Sequence, residues 1–431
     1  MKQRLILLIA ILFLWAVLVY IQIFFPFIPS TLLIIGFVIF YCVVLAIAQL
    51  YRRIVNTPPY DKALAAAYKP KVNIFIPAHN EELVLKDTID NLVKIDYPDY
   101  EILIVNDRSK DKTHDVALEI IKNYPDKVKY HSRQDDAFPG KSAVLNDAFD
   151  MTDGEIICIF DADARVEPDF LTKIIPYLSD PGVSAVQARK LMSNRNTNAL
   201  TRFQNYEYLM DSNVQMGRDA LRAAVELRGN GELFKRSAIK EIGGWNLYTL
   251  TDDLDISTKL HINGLNVRFC PDVVVYEEAL NDFNAIIRQR KRWAEGSIRR
   301  YLDYLYGLLA SKKISLKCSL DAMSYFSEFV LPVWLISDIS IQLIFVLMGG
   351  KPDIITNLIV MAVISIFFIC MLFASINKFD KRGVLSALKW SVGTAAFVIL
   401  LWTVVVTNIV AKIIFKKRDM IWFKPARVGN D

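Results

Sequence analysis

Cysteine is scarce in this 431-residue chain: Cys42, Cys158, Cys270, Cys318 and Cys370, with no CxxC pair among them. An odd, unpatterned set excludes a disulfide framework and a thiolate metal centre, and it reads as free thiols on the reducing side of a membrane. An excess of one charge is also lacking, because 51 Lys and Arg face 46 Asp and Glu for a net charge of +5. That near balance, with aromatics at 12%, excludes a disordered chain, and it gives no reason to expect a nucleic-acid partner. Internal repeats of the kind transporters carry are absent as well. What the chain has in quantity is apolar residues, 53% of the total at a mean hydropathy of +0.28, while 23% of residues remain charged. Those values fit neither a simple cytosolic protein nor a bare bundle of membrane helices, so apolar and polar residues must be segregated along the chain.

Two apolar stretches, 5–25 and 31–50, each approach the ~20 residues that cross a bilayer as helix, and a proline-containing turn over 25–29 separates them. The first is too long for the core of a secretory signal, lacks a small-residue cleavage site and leads straight into the second. Lys2, Arg4, Arg52 and Arg53 flank the pair and the loop between is uncharged. The positive-inside rule therefore places the N-terminus and residue 51 onward in the cytoplasm, at the cell (plasma) membrane. From about 70 to 280 the pattern is that of a soluble α/β domain. Residues 72–76, 101–105 and 155–160 read as strands, with a helix over 81–94, which predicts a mostly parallel sheet with functional groups at the carboxyl ends of its strands.

Over 284–310, Ile286, Trp293, Ile298, Tyr301, Leu305 and Leu308 recur at helical spacing opposite Arg288, Arg290, Lys291, Arg299 and Arg300. This predicts a basic amphipathic helix lying in the membrane interface. Apolar blocks at 323–348, 354–376 and 385–415 follow. Five crossings would leave the C-terminus outside, whereas Lys412, Lys416, Lys417 and Arg418 look cytoplasmic. The block at 323–348 is the one in question, because it holds Glu328 and Asp338, and intramembrane carboxylates face a cavity or a partner. The expected layout is two transmembrane helices over 1–53, a linker over 54–69, the soluble domain over 70–283, the interfacial helix over 284–312, C-terminal transmembrane helices over 321–415 and a basic tail over 416–431.

Four polar features sit at strand ends or in the loops that follow them. Asp107 follows the strand 101–105 and by itself is ordinary turn chemistry. Asp161 and Asp163, in the sequence DAD, can present oxygens to one divalent cation of the Mg2+ or Mn2+ type. In Thr251-Asp252-Asp253-Leu254-Asp255 three carboxylates crowd into four residues, which is how a base of usable pKa arises; a plain helix cap is the competing account for Asp252. Gln289-Arg290-Lys291-Arg292-Trp293 offers a fork for a diphosphate and a flat face for a sugar. Lys141 adds a cation in a Gly-containing loop that lacks Walker A spacing.

In this order, ahead of membrane helices, these features resemble the membrane-integrated family-2 glycosyltransferases of GT-A fold, which include cellulose, hyaluronan and poly-N-acetylglucosamine synthases. The resemblance covers about residues 70–300, with Pro77-Ala78-His79-Asn80-Glu81-Glu82 where the family has P-A-Y-N-E-E, so His79 departs from it. It implies an α/β GT-A domain (mostly parallel sheet) inserted between transmembrane helices. It further implies that Glu81 and Asp107 hold the uridine, Lys141 the diphosphate, Asp161 the donor and Asp163 the metal, Mg2+ or Mn2+. Asp253 would be the general base, Arg292 would stabilise the departing diphosphate, and Trp293, Gln289, Gly229 and Gly231 would form the acceptor side. The wording around Asp253, Arg292 and Arg300 is most similar to cyanobacterial β-monoglucosyldiacylglycerol synthases. That implies a UDP-sugar hexosyltransferase moving glucose from UDP-glucose onto a membrane lipid such as diacylglycerol, with inversion. A processive β-polysaccharide synthase with a glycan acceptor is the alternative, and an inactive membrane-anchored binding protein a remote one. A small membrane partner subunit is left open.

Overall fold

The computed structural model describes residues 2–25, 30–350 and 354–416. The prolines of the turn at 26–29 and the basic tail from 417 lie outside the described residues. Eight strands form one sheet: β1 (Val72–Ala78), β2 (Tyr100–Asn106), β3 (Val128–Ser132), β4 (Ile156–Ile159), β5 (Arg165–Val166), β6 (Val183–Met192), β7 (Glu232–Lys235) and β8 (Asn266–Glu277). Their spatial order is β3-β2-β1-β4-β7-β6-β8-β5. The first four neighbours are all parallel, β7 runs antiparallel between β4 and β6, and β6 pairs parallel with β8. The three strands expected from sequence are β1, β2 and β4.

β1 and β2 are apolar at nearly every position because both faces of the sheet are covered, as parallel sheets require. Val72, Ile74 and Ile76 enter one core and Phe75 the other, with Leu103 and Val105 of β2 beside Phe75. With β1, β2 and β4 parallel, the loops after them open at one edge of the sheet, and antiparallel β7 begins at that same edge, Glu232 opposite Ile159. The loops carrying Glu81, Asp161, Asp163 and the Gly229-Asn230-Gly231 turn therefore converge there.

Among the described residues five helices are long and apolar enough to cross a membrane: Gln3–Phe24, Ser30–Ile54, Leu316–Leu347, Ile355–Phe379 and Val384–Phe415. Within the third, one helix ends at Tyr325 and the next begins at Ser327, with Phe326 between them just ahead of Glu328. Asp338 accepts hydrogen bonds from Ser30 Oγ (3.0 Å) and Thr31 Oγ1 (2.8 Å) of the second span. Asp338 is thus satisfied by protein partners, and Glu328 lines the large cavity described below.

The helix Phe283–Ala310 departs from the simple amphipathic expectation. Its middle is buried on every side, Arg290, Arg299 and Arg300 included. These three pair with Glu207, Glu295 and Glu226, while Ile286, Ile298 and Tyr301 pack with Val405, Val406 and Ile409 of the last span. A helical spacing of arginines looks identical in sequence whether it faces headgroups or buried carboxylates. Here the carboxylates, supplied from residues 207 and 226 as well as from the helix itself, decide.

Candidate active site

Gly140 ends its loop at φ +110 and starts the helix Lys141–Asp150, a backbone conformation that favours glycine. This turn aims Lys141 across the sheet edge. Its Nζ donates to Asp161 Oδ1 and to the Gly229 carbonyl, both at 2.8 Å, and lies 3.8 Å from Asp252 Oδ2. Burial alone would lower the lysine pKa, but Asp161, Asp252 and Glu232 outweigh it and raise it, so the ammonium stays charged. One cation thereby ties together the DAD turn, the glycine turn and the acidic cluster.

Asp253 stands in the first turn of the helix Asp252–Ile262. Its carboxyl is pushed up to about 6, first by burial and then by the charge of Asp252; the Leu254 N–H bond and Lys141 pull the other way. The result is a carboxylate basic enough to take a hydroxyl proton yet ionised at neutral pH. Gly229 stands against it: at φ +79, a Cβ there would lie 3.2 Å from Asp253 Oδ2. Gly231, at φ +67, would bring a Cβ within 2.7 Å of Val275. Both glycines are therefore demanded by backbone and by space, and between them Asn230 Oδ1 accepts from the Asp161 N–H at 3.2 Å.

A cavity of about 430 Å³ holds most of these groups. Glu81, Lys141, Asp161 and Asp163 line its sheet end; Gly229, Asp252, Asp253 and Arg292 its middle; Gln289 and Trp293 the side toward the membrane helices. Arg292 Nη1 donates to the Leu250 carbonyl, at the entrance to the Thr251-Asp252-Asp253 turn. Trp293 lies under the Arg290 guanidinium, 4.1 Å from its ring centroid, and meets Tyr208 edge-on. Gln289 Oε1 accepts from Arg290. No group of three or more His, Cys, Asp or Glu side chains forms a ready-made metal site among the described residues. The two hard-oxygen side chains Asp161 and Asp163 fit a divalent cation that completes its shell with a diphosphate and water.

Two expected residues lie off the cavity wall. Gly231 sits behind Gly229, against β8. Asp107 is 1% exposed, and its oxygens accept from Arg133 Nη1 (2.6 Å), Arg108 Nε (3.0 Å) and the Gly140 N–H (3.0 Å). In this structure Asp107 contributes by holding the turn that launches Lys141. His79, where the family has tyrosine, donates from Nδ1 to the Asp107 carbonyl at 2.6 Å and belongs to the same brace. Sequence reasoning missed Lys190, Glu277 and Glu232. Lys190 Nζ bonds Glu277 Oε2 (2.7 Å) and the Arg228 carbonyl (3.0 Å) in the cavity wall. Glu232, fully buried, accepts from the Gly229 N–H, and burial raises its pKa well above the usual range. All three lie on β6, β7 and β8, and a charged residue in an otherwise apolar strand was the one signal available for them.

Comparison with known proteins gives the family and the fold. Residues 70–296 match the family model described as glycosyltransferase like family 2. The β-monoglucosyldiacylglycerol synthase of Trichormus variabilis is 33% identical over 378 residues, covering 86% of this chain and 79% of that protein. The poly-β-1,6-N-acetyl-D-glucosamine synthase of Staphylococcus epidermidis is 25% identical over 291 residues, covering 65% and 69%. In three dimensions the chain is similar to the mannosyltransferase PcManGT of Pyrobaculum calidifontis, solved with GDP-Man and Mn2+, at a TM-score of 0.60 and 21% identity over 81% of this chain and 100% of that one. A family match over more than half of the chain, together with a 33% identical relative spanning 86% of it, shows that the chain belongs to glycosyltransferase family 2.

Proposed function

We propose that the protein transfers a single glucose from UDP-glucose to the hydroxyl of a membrane lipid such as diacylglycerol, inverting the anomeric centre. The observation that carries this reading is the cavity itself, which runs unbroken from Asp253 to side chains of four membrane helices, Tyr41, Leu335, Phe368 and Ile399 among them. An acceptor hydroxyl can reach the base from the bilayer without leaving protein. The relatives named for β-monoglucosyldiacylglycerol synthesis support the same choice.

Asp253 removes the proton from the acceptor hydroxyl as its oxygen attacks the anomeric carbon, and UDP leaves from the opposite face. Lys141 and Arg292, which both line the cavity, would stabilise the growing charge of the departing diphosphate. Asp161 and Asp163 would hold Mg2+ or Mn2+, which when bound neutralises part of that same charge. No carboxylate nucleophile is required, unlike in retaining glycosidases. The catalytic domain would face the cytoplasm at the plasma membrane, with Glu81 at the nucleotide end of the cavity.

Purified membranes given labelled UDP-glucose should yield a single-sugar lipid that partitions into chloroform–methanol and is cut by β- but not α-glucosidase. Label that stays aqueous and lengthens with time would replace this reading with a polysaccharide synthase. EDTA should stop the reaction and Mn2+ or Mg2+ restore it, but not in Asp163→Ala at ordinary ion concentrations. Full activity in EDTA would leave the charge to Lys141 and Arg292.

A further inference from the structure

Lys190 and Glu277 form an ion pair in the cavity wall that neither the displacement nor the proton transfer uses. Lys190 on β6 lies opposite Val275 of β8, so Glu277, two residues further on, presents its side chain on the same face. Both side chains are mostly buried, at 8% and 13% exposure. Bonds to both sides of the catalytic centre fix their place. Asn230 Nδ2 donates to Glu277 Oε2 (3.3 Å) while Asn230 Oδ1 accepts from the Asp161 N–H, and the Glu278 N–H donates to Asp163 Oδ2 (3.2 Å). On the other side Lys190 Nζ donates to the carbonyl of Arg228 (3.0 Å), directly before the Gly229 that abuts Asp253. The Tyr208 ring lies 5.1 Å from Nζ and meets Trp293 edge-on.

A donor sugar has to occupy this interval. With the diphosphate at Lys141 and the DAD turn, the anomeric carbon must still come within reach of the hydroxyl that Asp253 deprotonates, so the hexose ring fills the space between them. The chemistry of the pair suits that ring and not its neighbours. Glu277 cancels the Lys190 charge, which makes the pair a poor clamp for a diphosphate, and its polarity makes it a poor wall for an acyl chain. A sugar hydroxyl both donates and accepts, and the pair keeps one group of each kind to offer. Glu277 Oε1 has no partner among the described residues, and Lys190 spends two of its three N–H groups on Glu277 Oε2 and the Arg228 carbonyl.

We propose that Lys190 and Glu277 read the hydroxyls of the donor hexose by direct hydrogen bonds and so set which UDP-hexose the enzyme accepts. The inference rests on the UDP-hexose donor of the proposed function and extends it to the sugar ring; it makes no use of the acceptor. A site built to hydrogen-bond a hydroxyl rejects the analogue that lacks it, because its buried polar groups are then left unpaired.

The test measures equilibrium binding to the full-length protein, purified in detergent with Mn2+ present and no lipid acceptor. The ligands are UDP, UDP-glucose and its 2-, 3-, 4- and 6-deoxy analogues. The proteins are the wild type, Glu277→Gln, and the double variant Lys190→Met/Glu277→Leu, which removes both charges and strands neither. In the wild type, loss of at least one hydroxyl should weaken binding about tenfold or more relative to UDP-glucose. That penalty should fall below about threefold in the double variant and shrink in Glu277→Gln, with UDP affinity held within about threefold. A role confined to structure would weaken UDP and every UDP-sugar together. That result, deoxy penalties unchanged in the variants, or a wild type indifferent to every hydroxyl would overturn the proposal; where the double variant does not fold, Glu277→Gln decides alone. Failure to form glucolipid would sink the acceptor reading and leave these ratios standing, unchanged penalties beside glucolipid formation would sink only the role of the pair, and a wild type that binds no UDP-glucose would remove both.

Discussion

An aspartate that titrates near pH 6 must be deprotonated to act as a base, so activity through Asp253 is lost as pH falls through about 6 and is complete well above it. For stability the sign is opposite. A carboxyl raised above its unfolded value of ~3.9 contributes most below that value, and the contribution disappears as pH rises through about 6. The acid limb of kcat should therefore have its midpoint near 6. Asp252→Asn should move that limb to lower pH, because it removes the neighbouring charge while leaving the burial. Asp253→Asn should cost ~10²- to 10⁴-fold in kcat with UDP-glucose binding changed by no more than a few-fold. A limb that stays in place in Asp252→Asn would assign the shift to burial alone, and an Asp253→Asn enzyme with wild-type turnover would remove Asp253 as the base.

At the scale of elements, the two helices that carry the chemistry meet at one point. A Cβ on Gly296 would lie 2.5 Å from Thr251 Cγ2, so the Gln289–Trp293 helix can approach the Asp252–Ile262 helix only through a glycine. Gly296→Ala should push Thr251, and with it Asp252 and Asp253, out of register. Overpacking of this kind costs ~1–3 kcal/mol in stability, while ~1 Å of misplacement costs ~10² in rate. The expected result is a drop in kcat much larger than the fall in Tm, partly rescued by Thr251→Ala, which removes both the methyl and the hydroxyl in the way; a kcat that simply follows Tm would refute it. Gly296 was visible in the sequence, but its reason was not, because the contact joins two helices 45 positions apart. The same holds for the sheet. β1, β2 and β4 were legible as continuous apolar runs, and the motifs at their ends followed. β6, β7 and β8 were not, because Gln187, Arg189, Lys190, Glu232 and Arg268 interrupt them with polar groups whose partners lie elsewhere in the fold. Asp161, Asp163, Asp253, Arg292 and Trp293 could be placed from sequence because each motif is local; Glu232 and the Lys190–Glu277 pair could not, because pairing across strands sets their chemistry.

For the whole molecule, the catalytic domain is fixed to its membrane helices by a buried pair of neighbours, Arg218 and Asp219, at the end of the helix Ala199–Ala220. Arg218 bonds Asp321, which also accepts from Tyr41 of the second span and from the Ala224 N–H. Asp219 accepts from two nitrogens of Arg268 from β8 (Nε and Nη2), from the Phe269 N–H, and from Arg52 at the end of the second span. Burial would raise the Asp219 pKa, but Arg268 and Arg52 outweigh it and lower it. The ion pairs therefore stabilise the fold above the ordinary carboxylate range, and this support is lost as pH falls through the lowered value. Removing the acid strands Arg268, 2% exposed, inside the domain, and breaking a buried pair from one side costs about 3–5 kcal/mol. Asp219→Ala should consequently lower the unfolding midpoint of the detergent-solubilised protein by several degrees at pH 7. The gap from wild type should close at strongly acidic pH, where the wild-type carboxylate is protonated too. A gap that persists unchanged into acid would show that Asp219 acts through packing, and the joint between domain and membrane would then rest on Arg218 and Asp321 instead.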